Sequence, residues 1–161
     1  MTVSEYNACV DQHADSVYRF IAKNLRDSDR AQDIVQEAFA RMWEKAADIQ
    51  AEKSKSYLFT SAYHIMIDSI RKESRMSSIE QVSLDVAGSE KEYLGLKKLL
   101  EEALQRLPEI QRSVILLRDY EGYSYEEIGQ ICDLTESQVK VYIFRARNTL
   151  KKYIVKPENA I

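Results

Sequence analysis

The stretch YSYEEIGQICDLTESQVKVYIFRAR, residues 123–147, carries two helix start signals eleven residues apart. Ser124 is followed three residues later by Glu127, and Thr135 is followed in the same way by Gln138. Each pair has the form of a capping box, in which the hydroxyl accepts from a backbone N–H and the longer side chain returns to the cap residue. Two helix starts this close predict a helix-turn-helix.

The first of these helices is expected at about 125–132, with a turn through Asp133. Asp tolerates the left-handed conformation that such a sharp turn requires. Gly129 costs roughly 1 kcal/mol against alanine inside a helix, which predicts that the second helix passes close over it. The expected inward-facing residues of the pair are Ile128, Cys132, Leu134, Val139, Ile143, Ala146 and Leu150.

Charge is divided sharply around the second helix. Residues 119–139 contain six acids and no Lys or Arg, whereas residues 140–156 contain six bases and no acid. The net charge is only −3, but phosphate binding depends on the local field. Six phosphate contacts would give a salt slope of about −5. The alternative is a solvated basic face on a terminal helix; shape and charge together favour DNA.

The whole chain has the composition of an all-α protein. Its 161 residues include only four glycines and two prolines, and long stretches repeat with helical period. The apolar runs are too short to cross a bilayer, and residues 1–15 lack the profile of a signal peptide. We therefore expect a cytoplasmic protein without membrane insertion.

Chemistry-bearing residues are scattered. Cys9 and Cys132 are isolated, which favours reduced thiols over a disulfide. His13 and His64 lack neighbours at metal-ligand spacing, so no metal site is expected. The sequence has no phosphate-binding glycine loop, catalytic triad order or separable carboxylate pair. No cofactor and no enzymatic activity are predicted.

The helices fall into two groups around a Ser-rich stretch at 76–92. We expect two small bundles, 1–75 and 93–161, joined by this stretch as a flexible linker. Asp29 with Gln32 offers a capping arrangement for the second helix. The predicted helices are 4–25, 29–47, 56–74, 93–107, one from Pro108 to about 122, and the helix-turn-helix.

Two sets of motifs resemble one family. The stretch LPEIQRSVILLRDYEGYSYEEIGQICDLTESQVKVYIFRARNTL, residues 107–150, resembles the C-terminal domain of extracytoplasmic-function (ECF) sigma factors of bacterial RNA polymerase. AQDIVQEAFARMWEK, residues 31–45, resembles the family's D-x-x-Q-E-x-F-x-x-x-W helix, and SYLFTSAYHIMIDSIRKESR, residues 56–75, its promoter-melting helix. The resemblance covers nearly the whole chain, in the family's order.

The resemblance implies a non-catalytic subunit that directs transcription initiation. Its partners would be core RNA polymerase, through the clamp helices of the largest subunit and the flap of the second-largest, then promoter DNA and an anti-sigma factor. Asp33, Gln36 and Glu37 match polymerase-binding positions of the family. Trp43 could belong to the same contact or to the core.

The melting helix would engage the −10 element. Aromatic stacking is worth about 1–3 kcal/mol per base, comparable with the few kcal/mol that extruding a nucleotide costs. His64 stands where many members have Asn, and the loop 48–55 where the family captures a flipped base. Core packing is the alternative for the aromatic residues, of which at least one is expected to be buried. The candidate DNA-binding residues here are Tyr57, Phe59, Tyr63, His64, Arg71, Lys72 and Arg75.

The second helix of the helix-turn-helix would enter the major groove at the −35 element. Lys140 is expected on phosphate and Arg145 on a base or phosphate; Gln138 could read adenine or be held by its capping role. Val141 and Phe144 would meet thymine methyl groups or pack on a neighbour. The candidate contacts are Ser137, Gln138, Lys140, Tyr142 and Arg145.

Two other functions fit parts of the chain. An autonomous helix-turn-helix regulator explains residues 124–156 but leaves the aromatic–basic helix and the DxxQE motif without a role. Such a regulator usually dimerises on a palindromic site. A helical adaptor that binds only proteins leaves the basic stretch unexplained.

Overall fold

The computed structural model describes residues 1–77 and 92–155. Within these ranges the ordered elements are helical and include no strand, which confirms the all-α prediction. Lys156 and most of the proposed linker, 76–92, lie outside the described residues. The α-helices are α1 Val3–Leu25, α2 Ser28–Glu44, α3 Ser54–Ser77, α4 Glu92–Arg106, α5 Glu109–Ile115, α6 Tyr125–Cys132 and α7 Glu136–Val155.

The N-terminal bundle consists of α1, α2 and α3, which pack on one another. Val17, Phe20, Leu58 and Met66 are completely buried between them. Burying a side chain of this size is worth about 1.5–3 kcal/mol, so these contacts stabilise the bundle. The three- and four-residue spacing of such side chains places them on one face of each helix. None of the helices in the described ranges is both long and apolar enough to span a bilayer.

The helix start predicted at Asp29 is wrong by two residues. Asp27 is the N-cap of α2, and its carboxylate accepts from the N–H of Arg30 at 3.1 Å. Arg26 takes the left-handed conformation, with φ 53°, and the chain then extends through Asp27. Only the residue in that extended position can meet the open N–H groups of the first turn.

The connection from α2 to α3 is more ordered than the predicted polar loop. The helix α2 ends at Glu44 rather than near 47, and two turns of 3-10 helix follow at Ala46–Asp48 and Ala51–Lys53. The buried hydroxyl of Ser54 donates to the carbonyl of Ala51 at 2.7 Å. This bond joins the second turn to α3, which begins two residues earlier than predicted.

The C-terminal bundle consists of α4 to α7. Pro108 is the N-cap of α5 rather than a member of its first turn. The single helix predicted up to about 122 is wrong, because α5 stops at Ile115 and continues as a turn of π-helix, Leu116–Tyr120. Gly122, with φ 74°, then reverses the chain into the helix-turn-helix.

The helix-turn-helix is confirmed in detail. The hydroxyl of Ser124 accepts from the N–H of Glu127 at 3.1 Å, and the Glu127 carboxylate accepts from the N–H of Ser124 at 2.9 Å. Thr135 and Gln138 repeat both bonds at the start of α7, also at 3.1 and 2.9 Å. Asp133 lies between the two helices in the left-handed region, with φ 58° and ψ 54°. Local hydrogen bonding therefore fixes both ends of the turn.

The close approach predicted at Gly129 exists, but its main partner is different. A Cβ at this position would lie 2.6 Å from the backbone oxygen of Leu134 and 3.8 Å from a methyl group of Val139. The turn itself, rather than the second helix, excludes a side chain here. The N–H of Leu134 also donates to the carbonyl of Gly129 at 2.9 Å, so the two backbones are held together.

Gly129→Ala is therefore expected to lower the free energy of unfolding by about 1–3 kcal/mol, because backbone must move to admit the methyl group. Urea unfolding followed by circular dichroism measures the change. Gly95→Ala is the matched control, since a Cβ there meets nothing within 4 Å and alanine gains up to about 1 kcal/mol of helix propensity. Equal stability of Gly129→Ala and the parent chain would contradict this account.

The two bundles pack against each other. Helix α3 contacts α6, α1 contacts α5, and the buried apolar residues of both bundles form one continuous cluster. Tyr123 is buried at this junction, and its hydroxyl is the one buried side-chain oxygen or nitrogen in the described ranges that has no hydrogen-bond partner. Such an unpaired group costs about 1–3 kcal/mol. The docking of the bundles places two candidate residues of α3, Phe59 and Tyr63, against the C-terminal bundle.

Candidate nucleic-acid interface

The exposed face of α7 lies opposite its buried stripe. Val139, Ile143 and Ala146 are buried against α5 and α6. Phe144 is 67% exposed and Val141 is 45% exposed, so packing on a neighbour does not account for these two apolar side chains. The predicted contact residues on this exposed face are Ser137, Lys140 and Arg145.

Two other residues predicted on this helix are partly engaged within the protein. The amide oxygen of Gln138 accepts from the N–H of Thr135, which confirms the capping role that the sequence suggested. Tyr142 is half-buried and packs on the core. Lys140 lies with its Nζ 5.5 Å from the centre of the Tyr125 ring, an arrangement that restrains the cation without burying it.

The basic stretch is not uniformly available to a partner. Arg147 donates to the Asp119 carboxylate through Nη2 at 2.5 Å and Nε at 3.3 Å. This hydrogen bond raises the pKa of the guanidinium. An arginine held this way serves the packing of α7 on the π-helical turn, so the six bases counted in the sequence are not equivalent.

A groove of about 420 Å³ lies where the end of α2 meets α3. Tyr57 and His64, both predicted as DNA contacts, line it together with Thr60 and Ser61, one helical turn away on the same side of α3. Arg41, Glu44 and Lys45 complete the wall from α2. The groove therefore combines an aromatic ring, hydroxyls, an imidazole, two cations and one carboxylate.

Arg41 and Lys45 were not among the sequence-predicted site residues. Their signal is the basic pair at four-residue spacing at the end of α2, with Arg41 in its last turn and Lys45 directly after it, just before the connection assigned to a flipped base. Arg41 also donates to Glu37, one turn earlier, at 2.7 Å. Sequence spacing shows the pair, but only the packing of α2 on α3 places it beside Tyr57.

Phe59 and Tyr63 lie on another side of α3 and are buried. The Phe59 ring packs on Phe20 of α1 at 5.9 Å and on Tyr123 of the C-terminal bundle at 5.1 Å between centroids. Burial, with Cys132 close by, raises the pKa of Tyr63. The expectation that at least one of the three aromatic residues is buried is confirmed, since two of them are.

The far end of α3 is polar and exposed. Arg71, Lys72 and Arg75 all lie there, more than twelve residues beyond Tyr57 and at the surface. Twelve residues of helix span about 18 Å. The groove and this basic end therefore occupy separate parts of one helix. This arrangement suits a single strand of nucleic acid that runs along α3.

The polar face of α2 carries the residues matched to polymerase binding. Asp33, Gln36 and Glu37 are all exposed. Trp43 is 51% exposed and makes an edge contact with the Tyr6 ring, with centroids 4.9 Å apart. Trp43 therefore lies at the surface of the bundle, where its ring packs on the ring of Tyr6.

Two models of known protein families match this chain. Residues 9–76 match the family model for sigma-70 region 2, and residues 97–150 match the model for sigma-70 region 4. The two matched regions coincide with α1–α3 and with α4–α7. This pairing defines a sigma-70-type protein.

The relatives specify the group within that class. The chain is 29% identical to the ECF RNA polymerase sigma factor SigE of Mycolicibacterium smegmatis over 94% of its own length and 62% of that protein. It is 27% identical to the ECF sigma factor SigM of Bacillus subtilis, over 94% of both chains. The chain belongs to the ECF family of RNA polymerase sigma factors.

A solved structure shares the fold. The sigma factor RpoE, solved in complex with the anti-sigma factor NepR from Bartonella quintana, superposes with a TM-score of 0.78 at 22% identity. The match covers 96% of this chain and 99% of that one. It therefore extends over both bundles.

Proposed function

We propose that this protein is a dissociable initiation factor that binds core RNA polymerase, recognises −10 and −35 promoter elements and promotes melting between them. The observation that carries the proposal is the presence of both sigma regions in one chain, each with an exposed polar or basic surface. The working division is residues 1–75 for polymerase and the −10 element, 76–92 as tether, and 93–161 for the −35 element. The factor itself supplies no catalytic group.

The exposed face of α7 suits the major groove. Arginine and lysine there would contact guanine or phosphate, and the exposed Phe144 and Val141 would meet thymine methyl groups. Of the six bases in residues 140–156, Arg147 is held by Asp119 and Lys156 lies outside the described residues. The four that remain for DNA are Lys140, Arg145, Lys151 and Lys152. Four phosphate contacts give a salt slope of about −3.6, smaller than the slope for all six bases of the stretch.

The groove between α2 and α3 suits an unstacked base of the −10 element. Tyr57 offers a stacking surface, His64 a polar edge, and Arg41 and Lys45 cations for the adjacent phosphates. Stacking on one aromatic ring, worth about 1–3 kcal/mol, offsets much of the cost of separating the base from its neighbours. Arg71, Lys72 and Arg75 would hold the backbone further along.

Two protein partners complete the proposal. Core polymerase would be bound by the exposed face of α2 on its clamp helices and by the C-terminal bundle on the flap. An anti-sigma factor is the second partner, supported by the complex in which the Bartonella relative was solved.

Transcription in vitro with core polymerase and a promoter library tests this function. The factor is expected to direct initiation from a subset of promoters that share −10 and −35 sequences, while core alone and the free factor give no specific product. An autonomous regulator would instead bind duplex DNA as a dimer without polymerase. Absence of any new start site in the presence of core would contradict the proposal.

Tyr57→Ala is expected to reduce promoter opening about tenfold or more, because the groove loses its stacking surface. Permanganate reactivity of unpaired thymines in the polymerase complex measures opening, and gel retardation at low temperature measures duplex binding. Tyr57→Phe keeps the ring and should retain opening. If Tyr57→Ala opens DNA as well as the parent chain, the groove does not receive a base.

A further inference from the structure

The exposed face of α3 carries an acid between the groove and the basic end of the helix. Asp68 lies one helical turn beyond His64 of the groove and one turn before Arg71 and Lys72, and all four residues are exposed. Around the helix axis, Asp68 lies within about 60° of His64, Arg71 and Arg75, and it lies about 6 Å along the axis from His64. The acid is therefore on the path proposed for the nucleic-acid strand.

The carboxylate of Asp68 is not used by the fold. Among residues 1–77 and 92–155, no group hydrogen-bonds to it and no cation forms an ion pair with it. Arg71 and Lys72 follow at the three- and four-residue spacing at which ion pairs form on a helix, yet neither is paired with Asp68. The carboxylate therefore remains available to a partner.

Glu73, five residues further along α3, is the opposite case. It lies about 140° around the helix from Asp68 and forms an ion pair with Arg30 of α2. Arg30 also donates to the hydroxyl of Ser69 through Nε at 3.0 Å and through Nη2 at 2.5 Å. Glu73 thus helps to hold α3 on α2, whereas Asp68 makes no contact of this kind within the described part of the chain.

An unpaired acid on a surface for DNA has an electrostatic cost. A carboxylate about 6 Å from a phosphate lowers the affinity roughly threefold even in water. A hydrogen bond to a charged acceptor raises the affinity roughly tenfold or more, which is enough to offset that cost. Because the backbone of DNA offers no hydrogen-bond donor within the strand, the donor has to be a base.

The bases differ in what they present to a carboxylate. Cytosine N4 and adenine N6 are amino donors, whereas thymine and guanine carry the acceptors O4 and O6 at the corresponding positions. Aspartate accepts from an amino group, and opposite a keto oxygen it stays unsatisfied and is repelled. The 6 Å from His64 to Asp68 corresponds to about two stacked bases at 3.4 Å each.

We propose that Asp68 reads the exocyclic amino group of a cytosine or an adenine in the −10 element, within about two bases of the base held in the groove. Thymine and guanine are disfavoured at that position. This inference rests on the proposed function, because it requires the strand to lie along α3. It adds a residue that selects the sequence to a face whose other charged members attract the backbone.

Binding of single-stranded −10 oligonucleotides to the complex of the factor with core polymerase provides the test. The strand comes from a promoter that the factor uses in vitro, and each position in turn carries each of the four bases. At one position near the groove, the parent complex is expected to bind amino bases roughly tenfold more tightly than keto bases. At that position 2′-deoxyuridine in place of cytosine, or 2′-deoxyinosine in place of adenine, should lower the affinity equally, because each replaces the amino group by a keto oxygen.

Two variants of α3 separate reading from general charge. The amide of Asp68→Asn accepts from an amino group and also donates to a keto oxygen, so the preference should fall below about threefold through a gain in affinity for the keto strands. Glu73→Gln makes the same change of charge on the other side of the helix and should keep the roughly tenfold preference. Circular dichroism shows whether each variant retains its helices.

The outcomes that contradict the inference differ from those that contradict the function. If Asp68→Asn keeps the preference, or the parent complex binds amino and keto bases equally at every position, the reading role of Asp68 is overturned while the proposed function stands. If the parent complex binds none of the strands, the proposed function fails and this inference fails with it.

Discussion

Replacing Asp33, Gln36 and Glu37 together with alanine is expected to lower affinity for core polymerase roughly a hundredfold, at about 1 kcal/mol for each lost contact. All three side chains are exposed on α2, away from its buried face, so the fold should persist. Fluorescence anisotropy of the labelled factor with core measures the change. Urea unfolding of the free variant checks stability.

The control for that variant removes equal charge elsewhere. Asp11 and Asp15 are exposed acids on α1, and their replacement by alanine should leave core affinity within a factor of about two, because distant surface charges are screened at physiological salt. Within the triple variant, the replacement of Glu37 also removes its ion pair with Arg41 at the groove. This effect has to be distinguished from the loss of a polymerase contact. Unchanged affinity of the triple variant would refute the assignment of this face to polymerase.

Arg145→Ala is expected to reduce transcription from promoters with an intact −35 element by roughly 10- to 100-fold, the effect of losing one base contact of about 1–3 kcal/mol. Arg145 is exposed on α7 opposite the buried stripe, so the loss should be one of recognition rather than of folding. Initiation from matched promoters with and without the −35 element measures it. Equal loss on both promoters would show that Arg145 has no role in reading that element.

Lys140→Ala is the useful comparison for Arg145→Ala. A lysine on phosphate weakens binding almost uniformly across sequences and reduces the salt slope by about 0.9. Its restraint beside Tyr125 is a weak contact at the surface, so stability should change little. The two variants together separate reading of the base sequence from attraction to the backbone.

The helix boundaries show where sequence patterns are accurate and where they are not. Both capping boxes around the turn at Asp133 occur where the sequence places them. At α2 the same kind of pattern misplaced the start: Asp29 is followed by Gln32 and fits the motif, yet the cap is Asp27, because the chain becomes extended there directly after the left-handed Arg26. A cap motif gives the type of helix end, whereas its position depends on the conformation of the preceding residue.

The candidate site also contains residues that could be placed from the sequence and residues that could not. The exposed face of α7 follows from the period of its buried stripe, so Lys140 and Arg145 could be placed at the surface from sequence. The three aromatic residues of α3 could not be separated, because all three are compatible with either a core or a surface position. Tyr57 lines a groove, whereas Phe59 and Tyr63 meet the other bundle.

The sequence by itself determined the helical class of the chain, the two capped helix starts around the turn between α6 and α7, and the segregation of charge. The capped starts follow from sequence because each depends on two residues three positions apart. The tertiary structure alone decided the pairing of Arg112 with Asn24, 88 residues apart, and the place of Tyr123 beside Phe59. Contacts of that kind depend on how two independently patterned bundles fit together. No local period encodes that fit, because the side chains that make it are drawn from surfaces each bundle could also expose to water.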